Sequence, residues 1–556
     1  MPKTYKNPRY PYRRSADQGA GAGAAHHPVV IVGAGLVGLA AAVDLAQQGI
    51  ATVVLDDDDT VSFGSRAICF AKRSLEILDR LGLGAQIQTK GVTWNKGKVF
   101  WRHSLIYDFD LLPEGGHRWP AFINLQQYYA EEWLVERAMA TGLVDLRWKN
   151  RVVAVDQDAA DPALEIDTPD GPYNLTCDYL LAADGARSTV RRALGLDFTG
   201  QVFRDRFLIC DVVMKADFPS ERWFWFDPPF HPGQSALLHR QPDNVWRIDL
   251  QLGWDADPEE EKRPERVIPR LKAMLGDDVD FEIDWVSVYT FQCRRLERFR
   301  HGRIFFIGDS AHQVSPFGAR GGNGGLQDGD NLCWKLAAVL KGEAPERLLD
   351  SYDAERIPAA DENILNSTRS TDFITPKTAI SQLFRDATLE LAAEHPFARP
   401  LVNSGRLSRP AILEGSPLLT ASEGRQPPGL PVGAPCADAP LIRGNEKAWL
   451  LQLLAGGFVG LHYQDGDDAA AGSSSESDRL AEAWPQLRVL AIRAPGAAVA
   501  GSEAAWVDSE GLFAERYGAR PGAFYLVRPD QHLAGRWSAL RADSVGKAMA
   551  KSLSLA

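Results

Sequence analysis

Residues 33–38 read Gly-Ala-Gly-Leu-Val-Gly, directly after an apolar run and at the start of a helix-patterned stretch. In such a GxGxxG turn Gly33 permits the tight turn, Gly35 lets backbone approach a pyrophosphate, and Gly38 allows close helix–strand packing. The helix N-terminus then points its N–H groups at the phosphates. Asp56 closes the next apolar run, 23 residues after Gly33, where a carboxylate can accept both ribose hydroxyls and disfavours a 2′-phosphorylated ligand. A bare glycine-rich turn without a ligand is the competing reading, and it leaves the strand, helix, second strand and acidic terminus in register by accident. Asp57, Asp58 and Asp59 alongside read as solvated charges.

These residues need a parallel sheet to hold them. The segment 28–56 has the pattern of strand, turn, helix and strand. Two later stretches, CDYLLAADGARSTVRRALG and GRIFFIGDSAHQVSP, are also apolar runs that stop at an Asp–Gly or Gly–Asp pair. Between them, RWFWFDPPF, QSALLHRQ, NVWRIDLQL and FEIDWVSVYTF alternate with period two, the signature of an antiparallel sheet. The expected fold class is α/β: a Rossmann-like domain interleaved with an antiparallel-sheet domain, plus a small C-terminal α/β domain. The boundaries read as a mobile tail over 1–27, the Rossmann-like domain over 28–200 and 290–380, and the sheet domain over 201–289 with part of 90–130. A helical and linker segment over 381–424 and the last domain over 425–556 complete the chain. The polar stretch 466–478 reads as a surface loop.

Composition removes other classes. The chain has 556 residues, 45% hydrophobic and 24% charged, with a net charge of −12 and no densely basic stretch, so a phosphate-tracking nucleic-acid binder is not expected. The apolar run 29–43 is interrupted by glycines and is shorter than the roughly 20 residues that span a bilayer, and no membrane partner is expected. Six cysteines, Cys69, Cys177, Cys210, Cys293, Cys333 and Cys436, show no CxxC and no metal-ligand spacing, which fits a reduced, cytoplasmic setting and no metal.

Taken with Gly33-Ala-Gly35-Leu-Val-Gly38, two further motifs resemble the class A flavoprotein aromatic hydroxylases, whose fold is that of para-hydroxybenzoate hydroxylase. Asp184-Gly185-Ala-Arg187-Ser188-Thr-Val-Arg191 is similar to that family's DG motif, and Gly308-Asp309-Ser-Ala-His312 through Pro316 to Asn323 is similar to its GD motif. The resemblance covers about residues 28–380 and implies FAD as cofactor and NAD(P)H as transient co-substrate. It implies that Asp309 holds the ribityl chain, that Asp184 and Arg191 serve flavin and nicotinamide binding, and that Arg66 meets the pyrophosphate. Gln127 then contacts the flavin, with Gln126 one register away, and Gly308, Pro316, Gly321, Gly322 and Asn323 belong to the same cofactor-binding set. Ala319 and Arg320 depart from the Gly and Gln of many relatives; Arg320 either adds charge near the ring or points to solvent. His312 is read as structural.

The reaction implied is oxygen transfer from a flavin C4a-hydroperoxide to a phenolic ring, so the cofactor carries the hard step and no nucleophile triad is required. Substrate and dioxygen are the implied partners, with a homodimer possible by analogy. His239, Arg247, Trp225, Tyr289 and Pro316 are pocket candidates, with Trp223 beside them; each also has an ordinary reading as core tryptophan, sheet-face arginine or surface histidine. Residues 425–556, above all LVRPDQHLAGRW, resemble the thioredoxin-like appendage of the 3-(3-hydroxyphenyl)propionate and phenol hydroxylase branches, without its CxxC. Two alternatives remain open: another flavoenzyme on the same scaffold, such as a halogenase or a prenyl-chain reductase, and a flavin-binding sensor without turnover. A halogenase WxWxIP signature is matched only by the WxW of Trp223 and Trp225.

Overall fold

The computed structural model describes residues 4–19, 24–64, 66–157, 161–216, 218–403, 408–421, 428–464, 472–495 and 505–556. The chain divides into two units. The first holds residues 1–113, 120–329 and 360–409, and the second 114–119, 330–359 and 410–556.

The first unit contains a mainly parallel sheet in which Ala25–Val32 lies between Thr52–Leu55 and Tyr173–Ala182. Val144–Arg147 and Ile304–Phe306 extend it on either side. Residues 29–32, 53–55 and 179–182 and the strand Ile304–Phe306 are apolar and buried throughout, as expected of parallel strands covered on both faces. The helices Leu36–Gln47 and Gln127–Thr141 belong to the same unit.

A second, antiparallel-rich sheet runs His312–Gln313, Glu282–Arg295, Thr199–Val213, Val245–Leu252, Ser235–Arg240, Arg222–Phe226, Lys96–Trp101 and Ser104–Asp110. It draws strands from residues 96–110 as well as 199–295. Its two faces differ. Trp246, Ile248, Leu250, Leu208 and Cys210 pack with Val267 and Leu271 of the helix Pro264–Leu275 on one side. On the other, Phe207, Phe224, Phe226 and Phe291 pack with Ile374, Leu389, Ala392 and Phe317.

The N-terminal segment, expected to be a mobile tail, is instead pinned along the first unit from residue 4 to residue 18. Thr4 donates from its backbone and hydroxyl to Asp284 at 3.0 and 3.1 Å. Tyr5 stacks on Tyr128 with ring centroids 4.0 Å apart and donates to Glu132 at 2.7 Å. Asn7 bonds the carbonyls of Val61 and Ser62, Tyr10 stacks on Trp148, and Asp17 pairs with Arg147. Its tyrosines supply apolar area that a solvated tail would waste.

The second unit has a seven-stranded sheet whose last strands run Leu487–Arg493, Phe458–Gln464, Phe524–Val527, Leu533–Trp537. The first pair is parallel and the next two are antiparallel. Much of the polar stretch 466–478 lies outside the described residues, but from residue 472 it enters the helix Gly472–Ala483 rather than a loop. Residues 422–427 of the linker also lie outside the described residues.

Candidate active site

The three motifs meet at one edge of the parallel sheet. Val32 sits beside Leu55 and Ala182, and Ala182 beside Phe306. Gly33, Asp56, Asp184 and Gly308 follow those four residues within two positions, so four adjacent strands deliver them side by side at their carboxyl ends. That is where ligands bind in open α/β sheets.

The glycines separate into two kinds. Gly33 has φ +107° and a Cβ there would lie 2.5 Å from the Ala183 carbonyl oxygen; at Gly38 it would lie 2.0 Å from the Gly33 oxygen. Both are demanded by the protein's own packing. At Gly35 a Cβ would meet only Glu131 at 3.8 Å, and at Gly321 nothing nearer than 3.7 Å. No atom among the described residues requires those two to be bare, whereas a phosphate or flavin ring approaching the helix starts would.

The acidic residues are held by backbone donors. Asp56 accepts from Ala34 N at 2.6 Å and Asp58 N at 2.8 Å, and burial pushes its carboxyl up to about 6 against those bonds. Asp184 accepts from Thr189 N at 2.6 Å and Val190 N at 3.1 Å; its other oxygen is buried with no partner among the described residues, and burial raises its carboxyl. Asp309 is exposed on the protein's own surface yet crowded by neighbouring atoms. That crowding raises its carboxyl, with His312 and Arg66 pulling the other way. Arg191 donates to the carbonyls of Ser310 at 3.3 Å and Ala186 at 2.9 Å, clamping the DG and GD turns together.

Other expected contacts prove to be internal ties. Gln127 accepts from Ala67 N at 3.1 Å and donates to Glu131 at 2.7 Å, fixing the segment that carries Arg66. Gln126 is buried with neither amide atom partnered among the described residues. The Asn323 amide accepts from Ala71 N at 2.9 Å and donates to the Cys69 carbonyl at 2.8 Å. His312 bonds Asp328 at 2.7 Å, the structural role expected of it. Arg320 is neither solvated nor free: it is buried and donates to Asn363 at 2.6 Å. Ala319 adopts φ +54°, a left-handed conformation in which the glycine of many relatives is unstrained.

Glu131 was not among the sequence candidates. Its carboxylate accepts from Leu36 N at the start of the first helix at 3.1 Å and from Ser62 N at 2.7 Å. It therefore anchors the loop after Asp56 to the GxGxxG helix.

Opposite the motifs lies one face of the antiparallel sheet. His239, Arg247 and Asp211 are cross-strand neighbours, with Arg222 one step beyond the Trp223–Leu238 pair, so all four share that face. Arg247 is held by Asp249 at 2.7 Å and donates to the Arg66 carbonyl at 3.2 Å. Burial, Arg222 and Arg247 hold the His239 imidazole well below its ordinary range, hence neutral, and Trp94 stands edge-on at 5.7 Å. Tyr289 shares the face; burial and Asp309 push its phenol up to about 12, with Arg247 opposing. Phe317, next to Pro316, meets Phe207 at 5.1 Å and Phe291 at 5.6 Å edge-to-face, joining the GD loop to this aromatic surface.

Trp225 is a correction. It packs with Trp223, Phe100 and Phe230 on the other face, with the cluster of Trp246 and Ile248. Position 225 has the opposite parity from Arg222, Phe224 and Phe226, and in a strand parity decides the face.

The bare helix starts, the unpartnered Asp184 oxygen and the row of aspartates at the sheet edge fit FAD. Residues 26–367 match the family described as FAD binding domain. Among relatives, 6-methylpretetramide 4-monooxygenase of Streptomyces rimosus is 31% identical over 91% of this chain and 90% of its own. The 3-(3-hydroxy-phenyl)propionate/3-hydroxycinnamic acid hydroxylase of Mycolicibacterium smegmatis is 26% identical over 94% and 92%. The flavin-dependent monooxygenase PieE, solved with FAD and substrate, shares the fold with TM-score 0.80 at 22% identity, over 96% of this chain and all of that one. By motif geometry and by this match the chain belongs to the FAD-binding-domain family, with flavin-dependent aromatic hydroxylases as its relatives.

Proposed function

We propose that the protein hydroxylates a phenolic ring, using NAD(P)H and dioxygen with FAD as cofactor. One observation carries this: the three nucleotide-binding motifs open side by side onto an aromatic face formed by Phe207, Phe291, Phe317 and Tyr289. Bound FAD supplies acceptance of hydride and activation of dioxygen. The chain supplies the rest. Gly33, Gly35, the helix start behind them and Arg66 receive the pyrophosphate, and Asp56 the adenosine ribose. Asp309 accepts from the ribityl hydroxyls, and the N-terminus of Gly321–Leu340 presents its N–H groups to the electron-rich edge of the reduced ring. The phenylalanines hold a planar ring and exclude water. Tyr289, protonated at neutral pH, and neutral His239 are placed to bond a substrate oxygen.

Trp223 and Trp225, the only part of the halogenase signature that the sequence matches, face away from this site, which disfavours the halogenase alternative. The strand order of the second unit, with Phe458–Gln464 between a parallel and an antiparallel neighbour, supports the thioredoxin-like reading of the C-terminal domain. Among the described residues no helix is long and apolar enough to cross a membrane, and the six cysteines carry free thiols. By analogy with the hydroxylase family we also propose a cytoplasmic protein that forms a homodimer.

Purified protein should be yellow and release FAD on denaturation. A panel of single-ring and fused-ring phenols, scored for stimulated NAD(P)H oxidation with labelled dioxygen, should put label into a ring hydroxyl. Oxidation yielding only peroxide across the panel argues for a flavoprotein of another activity.

A further inference from the structure

We infer that the helix Ala379–Glu394 is the surface through which two copies of this chain pair. Its inward side is accounted for: Leu389 and Ala392 are buried in the cluster with Phe224 and Phe226. Its outward side is apolar as well. Ile380, Leu383, Phe384, Ala387 and Leu391 recur at i, i+3, i+4, i+7 and i+11, a narrow stripe about 100° wide on an α-helix. Ile380 is 80% exposed, Leu383 70% and Phe384 63%, and Phe397 and Leu401 just beyond the helix are 72% and 54% exposed. A helix apolar on both sides belongs in an interior.

The occupant follows from area and charge. At roughly 150–200 Å² per large side chain, the exposed fractions of these residues amount to about 500–750 Å² of apolar surface. That reaches the top of the range for the largest patch on a monomer and approaches the ~800 Å² each partner contributes to a standard interface. One stripe meeting its own copy makes an isologous, closed pair. Asp386, Glu390 and Glu394 lie along one margin of the C-terminal half, while the N-terminal turn carries no acidic residue. An antiparallel pair sets those carboxylates against the partner helix's positive N-terminal end, whereas a parallel pair stacks acid on acid. The same acidic margin opposes an anionic membrane.

This rests on the homodimer reading for its stoichiometry and adds the surface. Sedimentation velocity of the FAD-loaded chain at low micromolar concentration should give twice 61.1 kDa. The double variant Leu383→Glu, Phe384→Glu should sediment as a monomer with unchanged FAD content and far-ultraviolet circular dichroism. Ala387→Cys, near the centre of an antiparallel pair, should form a covalent dimer on mild oxidation. A wild-type monomer at tens of micromolar overturns both the dimer and the surface. A dimer that survives the double variant, or no crosslink at Cys-substituted position 387 in a dimeric protein, overturns the surface alone. Wild-type protein that floats with phosphatidylcholine vesicles in a stripe-dependent manner overturns it in favour of a lipid.

Discussion

Asp56, Asp184 and Asp309, at the edge of the parallel sheet, all have carboxyls raised above their ordinary range, with burial the leading cause each time. Glu355 and Asp530 in the second unit are buried outright, and burial again pushes upward. Yet Arg528 and Lys335 hold Glu355 far below its ordinary range, and Arg528 and His532 do the same for Asp530. The difference lies in the partners. Glu355 accepts from Arg528 at 2.6 and 3.0 Å and from Lys335 at 2.7 Å, whereas Asp56 and Asp184 accept from uncharged donors, backbone N–H groups at both and the Ser188 hydroxyl at Asp184. A buried charge network complete in itself serves the fold. Carboxylates held by uncharged donors keep acceptor capacity for a ligand's hydroxyls.

The largest effect tests the completed network. Glu355→Ala leaves Arg528 and Lys335 buried against each other and should lower the unfolding free energy by about 3–5 kcal/mol, read from urea denaturation. A loss below about 1 kcal/mol would show that the pairing is not what retains those cations. Asp309→Ala should weaken FAD binding about 10–100-fold, the ~1.5–3 kcal/mol of a charged hydrogen bond, without lowering the melting temperature of the FAD-free protein. If that temperature falls with the affinity, Asp309 belongs with Glu355 and the contrast fails.

Asp56→Asn sharpens the comparison through pH. The folded-state pKa of about 6 lies above the ordinary 3.8, so this group's stability is present below about pH 4 and lost as pH rises through 6. The asparagine variant, freed of FAD, should equal wild type near pH 4 and exceed it by about 2 kcal/mol at pH 7–8, while binding FAD more weakly. A variant less stable at pH 8 would overturn the assignment. The smallest effect is at Ala319. Relief of a left-handed residue, about 1–2 kcal/mol, outweighs the ~0.5–1 kcal/mol entropic cost of glycine. Ala319→Gly should therefore stabilise the protein by up to about 1 kcal/mol in thermal unfolding.

What was readable in the sequence followed from how directly a residue type encodes its geometry. Gly33, Gly38, Asp184 and Gly308 announce turns at strand ends, and three such turns in order place a discontinuous nucleotide domain without any tertiary information. Trp225 was misassigned because RWFWFDPPF offers aromatic side chains at nearly every position, so parity carried no polar contrast to mark the inward face. Glu131 was missed because Glu131-Glu132 in a helix looks like a solvated pair. Only the return of Ser62 and Leu36 to the same spot in space reveals its work. Phe207, Phe291 and Phe317 come from three distant segments, and their meeting is a property of the folded sheet. Tyr5 and Tyr10 in the tail were a usable signal, since aromatic rings seldom stay in water when a partner is at hand.

The docked N-terminus has a consequence for the order in which the molecule is made. Thr4 is synthesised ahead of its partner Asp284, which lies 280 residues later. Tyr5, Tyr10 and Asp17 wait for Glu132, Trp148 and Arg147. Closing so long a loop is entropically slow and demands a largely folded template. This early segment is thus among the last to settle, and refolding should show a late phase, removed by deleting residues 4–14, that follows formation of both sheets.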